Sequence, residues 1–309
     1  SGATVGWTPS SDIVNALEPV APTIQKAIFG YGKTSSDVSL TNLVNSSGVV
    51  ATDVTGVGTA RNNLAASSYG GDKAIFGYGR TSTQVSMTNL VNNSGVVATD
   101  VSGVGTARQS LAAASYGGDK AIFGYGTDSS LTNLVTNQGV VGNDVSGVGT
   151  ARNDLAAASY GGDKAIFGYG YYYSGGVVNY SLTNKVSNSG VVASDTTGVG
   201  TARYLLAAAG YGGDKAIFGF GTTGSVTGLT NLVSNTGVVA SNVSAVGTAR
   251  KGLAAAGYGG DKAIFGYGTT GSLTAITNLV NNSGVVASDV SGVGTAREKP
   301  AAAGFSYAS

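Results

Sequence analysis

The stretch Lys120-Ala121-Ile122-Phe123-Gly124-Tyr125-Gly126 decides the fold, because nearly the same seven residues recur along the whole chain. The copies begin at Lys26, Lys73, Lys120, Lys164, Lys215 and Lys262. Their spacings are 47, 47, 44, 51 and 47 residues. A second phrase, Gly-Thr-Ala-Arg, keeps step and ends at Arg61, Arg108, Arg152, Arg203, Arg250 and Arg297. The period is typical of four-stranded propeller blades.

Within one repeat the pattern predicts four strands, at residues 111–116, 120–125, 130–135 and 140–145. Gly117 and Gly118 supply the positive φ that a tight hairpin between the first two strands requires. The first strand carries almost only small residues, which suits an innermost position where several blades meet. The second is apolar on both sides, as expected of a sheet buried between neighbouring blades.

The two ends of the repeat region predict that the blades close into a ring. The copy at Lys26 lacks the small-residue strand that precedes every other copy, and residues 301–305 supply that strand at the far end of the chain. Pairing the two leaves no open sheet edge between the termini. We therefore expect an all-β fold, a six-bladed β-propeller over residues 26–309 with four antiparallel strands per blade, in which the C-terminal strand completes the first blade. Residues 1–25, with Trp7, form an N-terminal arm outside the repeats.

Composition argues against several classes of function. The 309 residues carry a net charge of +1, which provides no electrostatic basis for binding nucleic acid. The chain contains no His and no Cys, so the commonest general base, metal ligands and thiol nucleophile are absent. No apolar run reaches the length of a membrane span, and we expect no membrane insertion. The sequence predicts no enzyme, no catalytic residues, no metal and no cofactor.

The segment from Thr106 through Ala114, followed by Lys120 through Gly126, resembles a kelch repeat. That family places an Arg before a small-residue strand, a turn, and an apolar strand that ends in glycines. The resemblance covers residues 26–305 in six copies and implies a propeller that serves as a binding scaffold. Two departures are visible: the family's adjacent glycines are separated by Tyr125, and Val104 stands where the family has Trp. A weaker similarity is to virion proteins such as phage tail fibres and their receptor-binding parts.

The recurring charged residues have a structural interpretation. The six Arg residues suit binding of loop carbonyls and of the carboxylate that precedes each of them by eight residues, which would fix each blade to the next. One carboxylate per repeat falls short of the six to eight oxygen ligands of Ca²⁺. These carboxylates are Asp53, Asp100, Asp144, Asp195 and Asp289, with Asn242 in the remaining repeat, and a second set follows the Gly-Gly turns at Asp72, Asp119, Asp163, Asp214 and Asp261.

The repeats differ from one another in two places. One is the connection between the second and third strands, at residues 33–37, 80–84, 127–129, 171–180, 222–228 and 269–275. The other is the pair after each Arg, at residues 62–63, 109–110, 153–154, 204–205, 251–252 and 298–299. In an up-and-down blade both emerge on the same face, and loops on a rigid scaffold are the usual site of binding. The candidate ligand-binding residues on this face are Tyr171, Tyr172, Tyr173, Tyr180 and Tyr204.

These observations favour a non-enzymatic binding or assembly module, extracellular or part of a virion, that recognises a glycan or a protein through the variable loops. The alternative is a purely structural protomer that assembles through residues 1–25 and the faces of the disc with other subunits. A hydrolase or lyase that uses Asp and Tyr is the least favoured hypothesis, because no base is paired with a nucleophile.

Overall fold

The computed structural model describes residues 24–244 and 246–307, and this part of the chain is all-β, without any helix. None of the described residues therefore belongs to a helix that could cross a membrane. The predicted N-terminal arm lies outside the described residues, apart from its last two positions. Those two, Ile24 and Gln25, belong to the first strand, so the repeat region begins two residues earlier than the sequence predicted.

Each repeat contributes three strands, and each of the three has nearly the same sequence in every repeat. The middle strands carry the Lys-Ala-Ile-Phe-Gly phrase: β1 Ile24–Gly30, β4 Lys73–Gly77, β7 Lys120–Gly124, β10 Lys164–Gly168, β15 Lys215–Gly219 and β18 Lys262–Gly266. The small-residue strands are β3 Ala65–Tyr69, β6 Ala112–Tyr116, β9 Ala156–Tyr160, β14 Ala207–Tyr211, β17 Ala254–Tyr258 and β20 Ala301–Tyr307. The third strands are β2 Thr41–Val44, β5 Thr88–Val91, β8 Thr132–Val135, β13 Thr183–Val186, β16 Thr230–Val233 and β19 Thr277–Val280. One repeat adds a hairpin of β11 Tyr171–Tyr173 and β12 Val177–Asn179.

These strands form repeated three-stranded antiparallel sheets, with the middle strand between the other two. We number the sheets 1 to 6 by the chain order of their middle strands: β20–β1–β2, β3–β4–β5, β6–β7–β8, β9–β10–β13, β14–β15–β16 and β17–β18–β19. Sheet 1 joins the two ends of the chain, since β20 pairs with β1 from Ile24↔Tyr307 to Gly30↔Ala301. The predicted pairing of the C-terminal strand with the first repeat is confirmed.

The predicted fourth strand is present only as an extended segment with two isolated bridges. In sheet 3 these bridges are Val135↔Val141 and Thr132↔Val145. Between these two bridges β8 advances by three residues and the returning segment by four. The returning segment therefore has one extra residue, which interrupts the ladder as a β-bulge does. The bulge turns Asp144 toward Asn133, whose Nδ2 donates to Asp144 Oδ1 at 2.9 Å. The regular part of each sheet is thus three strands rather than four.

The core lies between the sheets. Side chains of the middle strands are buried on both sides, and Ala121, Ile122 and Phe123 have no exposed surface. Six apolar clusters each combine residues of two successive sheets, and one of them combines β17 and β18 with β1. The glycine that ends each middle strand makes this contact possible. A Cβ at Gly77 would lie only 2.6 Å from the Phe123 ring of the next sheet.

Backbone hydrogen bonds also connect successive sheets. At the Gly-Gly turns, the N–H of Gly70 donates to the carbonyl of Asp119 at 2.7 Å, and equivalent bonds follow from sheet 3 to sheet 6. Gly259 then donates to Gln25 at 3.0 Å, and Ser306 donates to Asp72 at 2.8 Å. Sheet 6 is therefore bonded to sheet 1, and sheet 1 to sheet 2, through the same kind of contact as all the others.

Candidate functional site at the variable end of the sheets

The register places the variable segments at one end of the sheets. In sheet 2, Gly77 pairs with both Ala65 and Thr88, so the start of β3 and the β4–β5 connection lie together. In five repeats the residue after the Arg bridges the first residue of the neighbouring variable loop, as in Asn62↔Arg80, and in the remaining one the N–H of Gln109 donates to the Thr127 hydroxyl at 3.0 Å. We call this the variable end, and the opposite end with the Gly-Gly turns the turn end. The predicted grouping of the variable segments is confirmed.

The six recurring Arg side chains lie inside the structure and not at its surface. The guanidinium of Arg108 donates from Nε to the Tyr125 carbonyl at 2.9 Å and from Nη2 to Asn133 Oδ1 at 2.6 Å. It also lies 4.6 Å from the centre of the Tyr78 ring. All six Arg residues are at most 1% exposed. Their position supports the structural interpretation, since a buried guanidinium cannot contact a partner.

The carboxylate that meets each Arg belongs to the following repeat, so the predicted pairing with the preceding carboxylate is wrong. Arg108 Nη1 lies 3.7 Å from Asp144 Oδ1, whereas Asp100 is near Arg61. Asp100 accepts bonds from the backbone N–H and the hydroxyl of Thr59, the latter at 2.6 Å. The reason is tertiary: adjacent sheets pack so that the loop before one Arg contacts the bulge of the next sheet.

These hydrogen bonds hold the pKa of Asp100 below its ordinary value. Burial opposes this effect, but the bonds from Thr59 and Asn89 and the charge of Arg61 favour the carboxylate more strongly. The same arrangement links the two ends of the chain, where Asp53 accepts from the Thr295 hydroxyl at 2.6 Å and its pKa is lowered likewise. Each carboxylate is used to connect two repeats.

Asn242 occupies this position in the fifth repeat, and Asn242→Asp is expected to stabilise the protein by about 1 kcal/mol at pH 7. Thr201 would then donate to a carboxylate, as Thr59 does, and Arg203 would gain a negative neighbour. The gain should diminish as the pH falls below about 3.9, where the carboxyl of the unfolded chain takes up its proton, and disappear once the folded carboxyl, with its lowered pKa, is protonated as well. Urea unfolding at pH 7 and pH 3 measures both effects.

Asp100→Asn is the matched control, and it should lower stability by a similar amount at pH 7. An unchanged or reduced free energy of unfolding for Asn242→Asp would show that the carboxylate contributes nothing at this site.

The second set of Asp residues is also engaged in the protein. At the turn end, Asp119 pairs with Lys120 at 3.1 Å and accepts from Asn137 Nδ2 at 2.9 Å. Within residues 24–244 and 246–307, no three His, Cys, Asp or Glu side chains cluster in a metal-binding arrangement. The carboxylates of this set therefore have structural partners, and we assign them no ligand.

Cavities lie along the line where the small-residue strands meet. A cavity of about 290 Å³ at the turn end is lined by residues of all six sheets, among them Ser68, Ser115 and Gly304. A smaller one of about 70 Å³ lies at the variable end, where Asn63, Asp154 and their equivalents surround it. The variable residues contribute only to the smaller cavity.

The longest variable segment, which the sequence predicted only as a connection between the second and third strands, forms a hairpin. Tyr171 pairs with Asn179 and Tyr173 with Val177, so Ser174, Gly175 and Gly176 form its tip. The three Tyr residues of one arm and the two Val residues of the other favour strands, and Gly175 at φ 69° allows the reversal. The side chain of Tyr173 is 61% exposed. An apolar and aromatic finger therefore projects from sheet 4 at the variable end.

Not all of the predicted tyrosines share one surface. The rings of Tyr171 and Tyr204 are in contact, with centres 4.8 Å apart and planes at 59°. Tyr172 points to the other side of the hairpin, together with Val178. Tyr180 lies beyond the hairpin, where its backbone N–H donates to the Gly170 carbonyl at 2.8 Å. The structure thus brings Tyr171 and Tyr204 together and separates Tyr172 and Tyr180 from them.

Two carboxylates that were not among the predicted site residues, Asp128 and Asp154, lie beside this tyrosine pair. Asn153 connects Asp128 to the tyrosine pair, since its Nδ2 donates to Asp128 Oδ1 at 2.6 Å and its backbone bridges Tyr171. Asp154 is the next residue along the chain. Burial raises the pKa of Tyr171 to about 12, with further contributions from Asp154 and Asp128. The available signal was the position of Asp154 in a variable pair, because that position differs in every repeat.

Comparison with known protein families found no family model that matches this chain, and comparison with curated proteins found no matching sequence. The similarity to kelch repeats therefore stays a prediction based on the repeat pattern alone.

Proposed function

We propose that the six sheets are the blades of a closed, kelch-like β-propeller and that this propeller is a non-enzymatic binding module. Three features support closure: the pairing of β20 with β1, the hydrogen bonds from sheet 6 to sheet 1, and the cavity lined by all six sheets. A ring of this kind leaves no sheet edge open between the chain ends. Its rigidity suits the presentation of loops.

The observation that carries the proposal is the concentration of sequence variation at one end of otherwise near-identical repeats. The turn end repeats the same Gly-Gly turns, while the variable end carries the tyrosine hairpin and six different residue pairs. Exposed aromatic groups provide contact area at a low entropy cost. We assign recognition of a protein or glycan partner to the variable end.

The positions of the first and last described residues support the variable end as the end that faces a partner. β1 and β20 extend two residues beyond their equivalents, and the pair Ile24↔Tyr307 lies at the turn end. The first and the last described residues therefore lie at the end of the sheets opposite the tyrosine hairpin. In the proposed module, attachment occurs at the turn end and the variable end faces outward.

Replacing Tyr171, Tyr172 and Tyr173 with Ala is expected to reduce partner binding by at least about tenfold, because exposed aromatic residues dominate such contacts. Screening on glycan and protein arrays identifies the partner, and titration of the variant measures the loss. A matched variant with Ala at Thr269, Thr270 and Ser272, in the equivalent loop of the last repeat, should bind normally. Equal binding by both variants would contradict the assignment, provided that their Tm values match that of the parent protein.

A purely structural protomer is the second candidate, and a set of exposed valines favours it. Each repeat exposes one valine of the segment after the third strand by about 60%: Val49, Val96, Val140, Val191, Val238 and Val285. Lys and Glu, which commonly protect sheet edges, are absent from these segments. Electron microscopy of native material separates the candidates, since a continuous lattice or filament supports assembly and isolated discs support the binding module.

A further inference from the structure

The corner around Tyr171 and Tyr204 combines two aromatic rings with two carboxylates. The backbone N–H of Asn153 donates to the Tyr171 carbonyl at 2.7 Å, and that of Tyr171 returns a bond to Asn153 at 2.9 Å. These bonds fix the tyrosine pair beside Asp154, the next residue along the chain. Asp128 is held there through its bond from Asn153. The rings and carboxylates therefore occupy one small region of the variable end.

Asp154 is held in an unfavourable state in the protein alone. Its backbone has a left-handed φ of 48°, a conformation that the equivalent residue of every other repeat shares. Burial raises its pKa, and the bond from Ser110 and the charge of Lys299 only partly oppose that effect. Neither Asp154 nor Asp128 forms an ion pair with a described Lys or Arg residue. A partly buried carboxylate without an ion pair is destabilising, and such groups concentrate at functional sites.

A third acceptor adds to this pattern. Asn179 lies directly across the hairpin from Tyr171, and its Oδ1 is enclosed without a hydrogen bond from any described residue. The corner thus offers two carboxylates, one amide oxygen and two aromatic rings. Groups that match it are hydrogen-bond donors with a positive charge, because cations are attracted both to carboxylates and to ring faces.

The remaining variable residues reinforce this charge distribution. The basic residues of the variable end are Lys33, Arg80, Lys251 and Lys299, which belong to the first, second, fifth and sixth repeats in that order. Asp128 and Asp154 lie in the third repeat; of these cations Lys299 acts on Asp154, because both line the cavity of about 70 Å³, but the two form no ion pair. A positively charged group of a partner is therefore attracted to the tyrosine corner and repelled by the opposite side.

We infer that the corner formed by Tyr171, Tyr204, Asp128 and Asp154 binds a guanidinium or ammonium side chain of a protein partner. This inference rests on the proposed function and specifies its ligand: an exposed Arg or Lys residue inserts between the tyrosines and the carboxylates. The bound cation forms the ion pair that Asp154 lacks in the protein alone. A partner with a neutral or acidic contact surface is excluded from this corner.

The test uses single-residue probes and the full chain labelled with ¹⁵N. Nα-acetyl-arginine amide is titrated while the backbone amide signals are recorded, and Nα-acetyl-citrulline amide provides a neutral molecule of the same shape. We expect shifts confined to Asn153, Tyr171 and Tyr204, and at least about tenfold weaker binding of the citrulline probe. Equal affinity for the two probes, or shifts located elsewhere, would overturn the inference.

Asp154→Asn separates a binding role from a structural one. It should weaken binding of the arginine probe by at least about fivefold. It should also leave Tm unchanged or raise it at pH 7, because the folded protein disfavours the charged form of Asp154. Glu298→Gln is the control: it removes a negative charge from the variable pair of the last repeat and should leave the probe affinity unchanged. Undiminished probe binding by Asp154→Asn would overturn the inference.

The outcomes distinguish this inference from the proposed function. If the triple tyrosine variant loses its partner while the arginine probe causes no shifts, the binding module stands and the cation site is wrong. If the probe binds and the triple variant retains full partner binding, the corner is a cation site but the partner is recognised elsewhere. Binding of a neutral glycan at the same amides would support recognition at the variable end and contradict a cationic ligand.

Discussion

Deletion of residues 301–309 is expected to abolish cooperative folding, with a loss of free energy of at least about 5 kcal/mol, comparable to the whole stability of many domains. β20 is the only partner of β1 on one side, and it places Ala301, Ala303 and Phe305 in the cluster between sheets 1 and 2. It also carries the Ser306 bond to Asp72. Circular dichroism during urea unfolding measures the effect.

The full chain with Phe305→Ala is the graded comparison. It keeps the strand and its backbone bonds but removes a fully buried ring, so a smaller loss of about 3–5 kcal/mol is expected. Adding a peptide of residues 300–309 to the truncated protein should restore part of the transition. A truncated chain that unfolds with the parent midpoint would show that β20 does not complete sheet 1.

Replacing a recurring Arg has the second large expected effect. Arg108→Met should lower the free energy of unfolding by about 3–5 kcal/mol, because it leaves the Tyr125 carbonyl and Asn133 Oδ1 buried without their donors. It also removes the cation stacked on Tyr78. Thermal and urea unfolding of the purified variant measure the change.

Arg80→Met is the matched control, since Arg80 is exposed in a variable loop and should change stability by less than about 0.5 kcal/mol. Similar losses for the two variants would mean that the effect comes from removing a positive charge. A negligible loss for Arg108→Met would show that the buried hydrogen bonds contribute little.

Much of the fold is predictable because the repeat is a strong signal. The Lys-Ala-Ile-Phe-Gly phrase located the middle strands to within a residue, apart from β1, which begins two residues earlier, and the unpaired segment 301–305 identified the strand that joins β1. The apolar alternation predicted a regular fourth strand, and it did not show that this strand is interrupted. The extra residue opposite β8 is visible only when the bridges are known, and it redirects Asp144 toward the next repeat.

The candidate site was predictable only in part. Repeat differences located the variable end and its tyrosines, since those differences are visible within a single chain. The contact between Tyr171 and Tyr204 joins segments more than thirty residues apart. The unpaired state of Asp154 depends on which cations surround it, and sequence spacing carries no information about that.

The sequence by itself determined the repeat, the antiparallel strands and the burial of the middle strands, because these follow from local alternation, small residues and glycine turns. Only the tertiary structure decided which carboxylate meets each Arg. Asp144 lies 36 residues after Arg108, whereas Asp100 lies eight residues before it, and the packing of sheet against sheet selects the distant one. The same packing places Asp154 beside two tyrosines, since side chains from different repeats meet only when the sheets assemble.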